Sequence, residues 1–358
     1  MGLEKQALAS QNYPNHMNYS YLDKDLFGNP ALAQDPKLSI CLITYKHADY
    51  IRTCLDNILS QEVNFSYEII LGEDHSPDET ATIIAEYASL YPDMIKAFIR
   101  AENVGGKANF LHCFLQCRGA YVIFIEGDDY WTDNTKLQQQ VDFLDAQPHA
   151  SACFHNAEIV YEDASGRSNE FINGPDQADW TETADLLSEK EAWFMATASV
   201  MMRRKYVATL PEWFVDCKSG DIPMYVILAE KGPIGYIPTC MSVYRKNLGG
   251  QSFTDNTKSK SFIENRIFMY SKLNEYTQFK YDQSIRKIFS DYQLLLIKCH
   301  ENDGRFIRQL VHLLKAFMLR GDYRWVTFKQ LVRDYWTTEK SALAYLNFRS
   351  KLNRLIGK

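Results

Sequence analysis

Short apolar runs alternate with segments of helical periodicity along the first half of the chain. Apolar residues spaced three and four apart, as from Ile51 to Leu59, predict amphipathic helices between these runs. The runs are partly β-branched, which predicts buried strands over Leu38–Thr44, Tyr67–Leu71, Ile95–Ile99 and Ala120–Ile125. This alternation predicts an α/β fold, with a mostly parallel sheet and helices on both of its faces.

Helix boundaries follow from capping signals. Ser76-Pro77-Asp78-Glu79 combines an N-cap serine, a proline for the first helical position and a capping-box glutamate, so a helix is predicted to start there. Further helices are predicted over Ala108–Cys117, Asn134–Ala146 and Ile222–Glu230, and further strands over Ala152–Tyr161, Ser199–Arg203, Ile234–Ile237 and Cys240–Arg245. From Ser261 onward the pattern predicts an α-helical extension.

The chain is thereby divided into three parts: an N-terminal arm (1–37), a central domain (38–255) and a C-terminal helical region (256–358). A hydrophobic fraction of 46% predicts a globular protein. We find no 18-residue apolar window and no secretory signal, and the eight scattered cysteines suit buried, reduced thiols. We therefore expect a cytoplasmic protein.

Charge is unevenly distributed. The net charge is −6, yet residues 304–358 hold twelve Lys/Arg and three Asp/Glu, a local balance of +9. Basic residues interleaved with Phe, Leu and Trp favour contact with an anionic membrane surface, so peripheral attachment to the inner face of the membrane is one hypothesis. Packing of these helices on the rest of the chain, or on a second subunit, is the alternative. No nucleic-acid partner is expected, and the oligomeric state stays open.

In open α/β sheets, ligands bind beyond the carboxyl ends of the strands. Three carboxylates follow the fourth predicted strand in Glu126-Gly127-Asp128-Asp129, and their mutual repulsion would be relieved by a hard cation such as Mg²⁺ or Mn²⁺. The alternative is that Asp128 or Asp129 only caps the next helix.

Further candidates follow other elements. A Tyr45 ring after Thr44 could stack on a base, and a carboxylate of Glu73-Asp74 could accept the imide N–H of uracil. Asp221, before a helix, could act as a general base at the cleft rim. Each has an ordinary structural alternative: a half-buried ring, turn chemistry or an N-cap.

Taken together, the motifs resemble glycosyltransferase family 2, whose fold is the Rossmann-like GT-A nucleotide-sugar fold. The order and spacing agree over about 210 residues. The matching segments are Ser39-Ile-Cys-Leu-Ile-Thr-Tyr45, Glu68-Ile-Ile-Leu-Gly-Glu-Asp-His-Ser76, Asn103-Val-Gly-Gly-Lys-Ala-Asn109, Glu126-Gly-Asp-Asp-Tyr-Trp131, Gly220-Asp221 and Tyr244-Arg-Lys-Asn-Leu-Gly-Gly250.

The resemblance implies an inverting transfer of a sugar from a nucleotide-sugar donor, a UDP-sugar, to a saccharide or lipid-linked acceptor. It implies Asp221 as the catalytic base. It implies a donor site and a Mn²⁺ or Mg²⁺ site. The donor site would comprise Thr44, Tyr45, Glu73, Asp74, Asn103, Lys107, Asp128 and Arg245, and the metal site Asp129, Asp128, Glu126 and Asn247.

Three positions depart from the family pattern. Glu126 stands where Asp is common, Asn247 where His is common, and His75 where Gly is common. Asn is a weak oxygen ligand, so either fewer protein groups hold the metal or the site depends less on it. Two other functions stay open: a binding or scaffold protein without turnover, and a nucleotidyltransferase. The loop at Tyr45–Asp49 has no glycine to hold a triphosphate, which disfavours the latter.

Overall fold

The computed structural model describes residues 19–162, 166–188, 194–247, 259–299 and 306–321. The chain forms two compact units. The first extends to residue 252, apart from a short segment at 187–191, and the second contains the residues from 253 onward.

Four parallel strands form one half of the central sheet. They are β1 (Leu38–Thr44), β2 (Tyr67–Glu73), β3 (Ile95–Ile99) and β4 (Tyr121–Glu126), in the order β3-β2-β1-β4. Thr44 pairs with Glu73, and Ile43 pairs with Glu126. The register thus brings the ends of three strands to one edge, and the four strands predicted from the apolar runs are confirmed.

The second half of the sheet is mixed. It contains β5 (Tyr130–Trp131), β6 (Ala152–Tyr161), β7 (Glu170–Phe171), β8 (Trp180–Thr181), β9 (Met201–Arg203) and β10 (Ile234–Lys246). The order continues β4-β9-β6-β10-β5, with β9 antiparallel to both of its neighbours and β6 parallel to β10.

Strand β10 corrects the sequence prediction of two separate strands over its range. It is one strand, whose pairing with β6 shifts register between Ile237 and Cys240 and again between Cys240 and Ser242. Pro238 has no amide hydrogen to donate to the neighbouring strand, which explains why a break is predicted at this position. The register shifts accommodate the proline, so the strand continues past it.

Among the described residues of the first unit, six α-helices occur: α1 (Ile51–Leu59), α2 (Thr80–Leu90), α3 (Gly106–Gln116), α4 (Lys136–Ala146), α5 (Thr183–Leu186) and α6 (Asp221–Ala229). The predicted start of α2 at Ser76 is wrong. The Ser76 hydroxyl accepts the Lys46 N–H at 2.9 Å, and Asp78 Oδ1 accepts the Thr80 N–H at 3.1 Å, so the helix begins at Thr80.

The core lies between these helices and the sheet. Fully buried strand residues such as Ile40, Leu42, Ile69 and Ile123 pack with Ile51 and other helix residues in one cluster. Burying each side chain of this size contributes roughly 1.5–3 kcal/mol. Six of the eight cysteines are also buried, and all eight are free thiols.

The second unit is helical where it is described. It contains α7 (Lys260–Tyr276), α8 (Asp282–Cys299) and α9 (Phe306–Leu319). Ser259 caps α7 by accepting the Phe262 N–H at 3.2 Å, and Ser290 of α8 donates to the Ala316 carbonyl of α9 at 3.0 Å. Among the described helices, none combines the length and apolarity that a bilayer crossing requires. Predicted tail positions beyond residue 321 lie outside the described residues.

A buried lysine lies beneath β5. Lys136 is fully buried; its Nζ donates to Gln140 Oε1 at 2.7 Å and lies 4.1 Å from the centroid of the Trp131 ring. Burial lowers the pKa of Lys136 well below its ordinary value, and only the Cys153 thiol opposes this. The pKa of Lys136 therefore indicates how strongly water is excluded from the interior beneath β5.

Replacing this lysine gives a pH-dependent test. Between the lowered folded-state pKa and the ordinary value of about 10.4, the unfolded chain binds more protons, so stability rises with pH. Lys136→Met abolishes this dependence. The free energy of unfolding of the variant minus that of the wild type should therefore fall as pH rises from 7 to 10, by about 1.4 kcal/mol for each pH unit that lies above the lowered pKa. Urea unfolding at several pH values measures this; a constant difference would contradict it.

Candidate active site

The loop after β1 is tied to the loop after β2. Lys46 adopts a positive φ of 61°. The N–H groups of Lys46, His47 and Ala48 donate to the side chains of Ser76, Thr80 and Asp78 at 2.9, 3.0 and 3.2 Å. The left-handed conformation costs roughly 1–2 kcal/mol, which these bonds offset. The adjacent Tyr45 ring is 37% exposed and thus accessible for stacking.

The loop after β2 is built on Glu73. This side chain is fully buried, and its two carboxylate oxygens accept the His75 N–H at 3.1 Å and the Ser76 N–H at 2.7 Å. Glu73 therefore shapes the turn from inside. His75 has φ 60°, the conformation that suits the glycine common at this position.

Asp74 joins this turn to the loop before α3. Its Oδ1 accepts the Val104 N–H at 2.8 Å, and its carbonyl accepts from Asn103 Nδ2 at 2.8 Å. Burial raises the pKa of Asp74, and hydrogen bonds from the Val104 and Gly105 amides oppose that rise. Asp74 and Asn103, both predicted donor-site residues, are thus brought into contact.

The acidic loop after β4 packs on β1 through a glycine. A Cβ at Gly127 would lie 2.6 Å from Thr44 Oγ1, so a bare backbone is needed here. Asp128 and Asp129 are buried, while Glu126 retains solvent-exposed surface although protein atoms surround its carboxyl group densely. Burial, followed by the charges of Asp128 and Asp221, raises the pKa of Glu126 to about 8.

Asp129 experiences the same crowding. Burial and then the charges of Asp128 and Glu126 raise its pKa well above the ordinary value, while Arg245 opposes the rise. The Arg245 N–H donates to Asp129 Oδ1 at 2.9 Å, and Arg245 Nη1 donates to the Asp128 carbonyl at 2.5 Å. The end of β10 therefore fixes the acidic loop in place.

Aromatic rings and Glu162 hold the Arg245 guanidinium. It lies 4.6 Å from the Tyr50 ring centroid and 4.9 Å from that of Tyr130, and its Nε donates to Glu162 at 3.0 Å. Sequence reasoning placed Arg245 near the diphosphate but missed Tyr50, Tyr130 and Glu162, because only the folded sheet brings them to this strand end.

Asn247 and His47 border Asp128. Asn247 Nδ2 donates to Asp128 Oδ2 at 3.1 Å, and His47 Nε2 lies 3.7 Å from the same oxygen. His47 Nδ1 is also 3.1 Å from Thr44 Oγ1. His47 was not predicted from the sequence; its position two residues beyond Tyr45, in a loop after a strand, was the available signal.

Asp221 is the first residue of α6, and Gly220 is the N-cap residue. Lys107 Nζ is 3.6 Å from where a Cβ of Gly220 would stand and 4.8 Å from the Phe214 ring centroid. Burial lowers the pKa of Lys107, and the charges of Cys217 and Asp221 oppose this. Lys107 is thus brought beside the predicted base.

The acidic loop and Asp221 act on one another electrostatically. The charge of Asp221 contributes to the raised pKa of Glu126. Tyr225, one turn beyond Asp221, is buried; burial raises its pKa, and the charges of Asp221 and Glu126 add to that rise. Carboxylates from β4 and α6 therefore share one region.

The carboxylates of the acidic loop can be assessed as ligands for a metal ion. Among the described residues, no three His, Cys, Asp or Glu side chains converge closely enough to hold an ion by themselves. The chemistry nevertheless fits a hard cation, because the charge of Asp128 raises the affinity of Glu126 and of Asp129 for positive charge. Mg²⁺ is commonly held by one or two carboxylates together with substrate phosphates. The residues therefore suit a cation that a diphosphate helps to hold.

Comparison with known proteins finds similar sequences and structures. Residues 39–210 match the model described as glycosyl transferase family 2. Uncharacterized protein Rv1520 of Mycobacterium tuberculosis (strain ATCC 25618 / H37Rv) is 34% identical over 233 residues, which cover 64% of this chain and 64% of that protein. The minor teichoic acid biosynthesis protein GgaB of Bacillus subtilis (strain 168) is 22% identical over 324 residues, 89% of this chain and 32% of GgaB.

A solved structure shares the fold. TarS 1–349 of S. aureus, in complex with UDP-GlcNAc, superposes with a TM-score of 0.54 at 16% identity, over 90% of this chain and 92% of that chain. This likeness confirms the α/β fold of the GT-A type with its helical C-terminal part.

Proposed function

Because residues 39–210 match the model of glycosyl transferase family 2, we propose that the chain transfers a sugar from a nucleotide-sugar, a UDP-sugar, to a hydroxyl of a saccharide or lipid-linked acceptor with inversion. The observation that carries the proposal is the shared electrostatic region of the acidic loop and Asp221 at the carboxyl edge of the sheet. An inverting transfer needs a charged site that neutralises the leaving diphosphate and a base that deprotonates the attacking hydroxyl, on opposite sides of the anomeric carbon.

The donor would bind over the loops after β1 and β2. The accessible Tyr45 ring would stack on the base, and Asp74, joined to Asn103, would accept its imide N–H. Thr44 and Glu73 would hold the two loops from beneath. The shared fold accommodates such a donor in TarS, which was solved with UDP-GlcNAc.

The diphosphate would meet the acidic loop through Mn²⁺ or Mg²⁺. Asp129 and Asp128, with Glu126 nearby, would hold the cation, and Asn247 would orient Asp128 or add an amide oxygen. A bound cation supplies charge neutralisation of the departing diphosphate, worth several kcal/mol. Arg245, bonded to Asp128 and Asp129, would keep the loop positioned for this.

Asp221 would act as the general base. It would accept the proton of the acceptor hydroxyl while that oxygen attacks the anomeric carbon, so the reaction is a single displacement and the configuration inverts. Lys107 beside Gly220 and Asp221 would favour the ionised carboxylate against repulsion by Glu126. Once the diphosphate leaves, that proton passes to solvent.

Replacing the base separates catalysis from binding. The donor is first identified by measuring nucleotide release from UDP-, GDP- and dTDP-sugars. With that donor, Asp221→Asn should reduce kcat by about 10²–10⁴-fold, because general-base catalysis contributes a factor of that size. UDP affinity should stay within about twofold. Lost UDP binding by a folded variant would move Asp221 into the donor site, and a product of retained configuration would overturn the single displacement.

A scaffold that binds nucleotide-sugars without turnover is the second candidate. Asn247 favours it, because this residue stands where the family commonly has His, and an amide is a weaker metal ligand. The same donor panel separates the two functions: a scaffold binds a UDP-sugar but releases no UDP faster than the buffer blank.

The proposal also includes attachment to a membrane surface, through residues of the second unit. On α9, Leu313 and Ala316 are buried, whereas Val311, Leu314 and Met318 are 42%, 44% and 62% exposed. The exposed apolar row lies next to exposed Lys315, in a region with a charge balance of +9, which suits a cytoplasmic enzyme attached peripherally to an anionic membrane surface.

Vesicle flotation tests this attachment. The wild type should float with anionic but not with neutral vesicles, and less so at high salt, because each Lys or Arg near the surface adds about 1 kcal/mol that salt screens. The Leu314→Glu, Met318→Glu double variant should lose flotation. The control is Leu90→Glu, at a leucine of α2 that is 65% exposed in the first unit. Failure of the wild type to float with anionic vesicles at low salt would refute the attachment.

A further inference from the structure

The described part of the N-terminal arm, residues 19–37, covers the open edge of β3. It begins with a 3₁₀ turn over Ser20–Asp25, in which Leu22 is buried. Leu26 then forms a bridge with Phe98, and the Phe27 N–H donates to the Ala97 carbonyl at 2.9 Å. Because β3 ends the sheet order, the arm pairs with the outermost strand of the donor half.

The arm is held by a buried arginine that directly follows β3. Arg100 is 2% exposed. Its Nη1 donates to the Leu22 carbonyl at 3.1 Å and lies 3.7 Å from Asp25 Oδ2, whose side chain is itself 6% exposed. A buried guanidinium without partners is strongly unfavourable, so the position of Arg100 depends on the arm.

A histidine extends this contact. Arg100 Nη2 lies 2.9 Å from His112 Nδ1, and His112 Nε2 lies 2.9 Å from Asp23 Oδ1. Since the guanidinium can only donate, Nδ1 must accept, and the ring proton sits on Nε2, where it is donated to Asp23. Asp23 and Asp25 of the arm therefore fix Arg100 from two directions.

The same arginine contacts the donor turn through its backbone. Its N–H donates to the Glu73 carbonyl at 3.0 Å, and its own carbonyl lies 3.3 Å from His75 Nδ1. Its Nε donates to Asn109 Oδ1 at 3.0 Å, and Asn109 Nδ2 donates to the Gly72 carbonyl at 2.9 Å. Arg100 thus touches both the end of β2 and the strained residue of the turn.

We propose that the arm is part of the donor site: Asp23 and Asp25, acting through Arg100, hold the His75 turn so that Asp74 meets the nucleobase. Arg100 is a positioning residue, because its contacts are with the turn and not with the donor. This inference rests on the proposed function. The left-handed His75 persists only where its surroundings over-determine it, and Arg100 supplies one of those constraints.

A second arginine anchors the arm without touching the turn. Arg118 Nη2 donates to the Ala33 carbonyl at 2.8 Å and to Glu68, which is fully buried near the start of β2. Glu68 and Glu73 are five residues apart on one strand, about 16 Å. Arg118 therefore serves the stability of the arm alone and provides a matched control.

The test compares Arg100→Lys with Arg118→Lys. Both retain the charge and remove the planar fork. Melting temperature, UDP affinity by calorimetry, and KM and kcat for the donor identified by the panel are measured for each. Both variants should melt earlier. Arg100→Lys should weaken UDP binding and raise the donor KM by on the order of tenfold, with kcat within about twofold, because networks of this kind carry couplings of that size. Arg118→Lys should leave UDP affinity and KM unchanged.

Asp25→Asn is the second variant, since it spares the arginine and keeps the shape of the arm. It should shift UDP affinity in the same direction as Arg100→Lys, and it decides the case if Arg100→Lys does not fold. Equal effects of the Arg100 and Arg118 variants on UDP affinity, or no effect of Asp25→Asn, would overturn the inference. A wild type that binds neither UDP nor a UDP-sugar is a separate result, which overturns the proposed function and this inference with it.

Discussion

Repulsion between carboxylates at the end of β4 is the constraint on which the rest of the site depends. Glu126, Asp128 and Asp129 lie within four residues, and burial together with their mutual charge raises the pKa of Glu126 and of Asp129. Such a loop would move apart unless it were held. Gly127 lets it pack against Thr44, and Arg245 binds it from β10. The sheet thereby holds together carboxyl groups that retain protons when no cation is present, and a cation with a diphosphate would displace those protons.

The donor side is held by backbone strain that neighbouring loops share. Lys46 and His75 both adopt positive φ, one after β1 and the other after β2. The Lys46 N–H donates to Ser76, so each turn supports the other. Glu73 closes the second turn from inside, and Arg100 connects it to the arm. Because the two turns are held in this way, Tyr45 and Asp74 would need little rearrangement when a donor binds. Such preorganisation lowers the free-energy cost of binding.

The strands and the edge that carries the site could be predicted because they depend on local apolar patterning and on the parallel order of β1, β2 and β4. The roles of individual side chains could not. Ser76 has the sequence context of an N-cap, yet its hydroxyl bonds Lys46 in a loop thirty residues away in the chain. Arg245 meets Tyr50, Tyr130 and Glu162 only after β10 pairs with its neighbours. Lys107 likewise reaches Gly220 through tertiary packing alone.

The most direct measurement is the affinity for UDP, determined by calorimetry with Mn²⁺ and again after chelation, for the wild type and for Asp129→Asn. Crowded carboxylates repel a diphosphate unless a cation lies between them, so the wild type should bind UDP much more tightly with Mn²⁺ than without it. That difference should largely disappear in Asp129→Asn. Equal affinity with and without Mn²⁺, or a difference that the variant fully retains, would contradict the assignment of the acidic loop to the donor diphosphate.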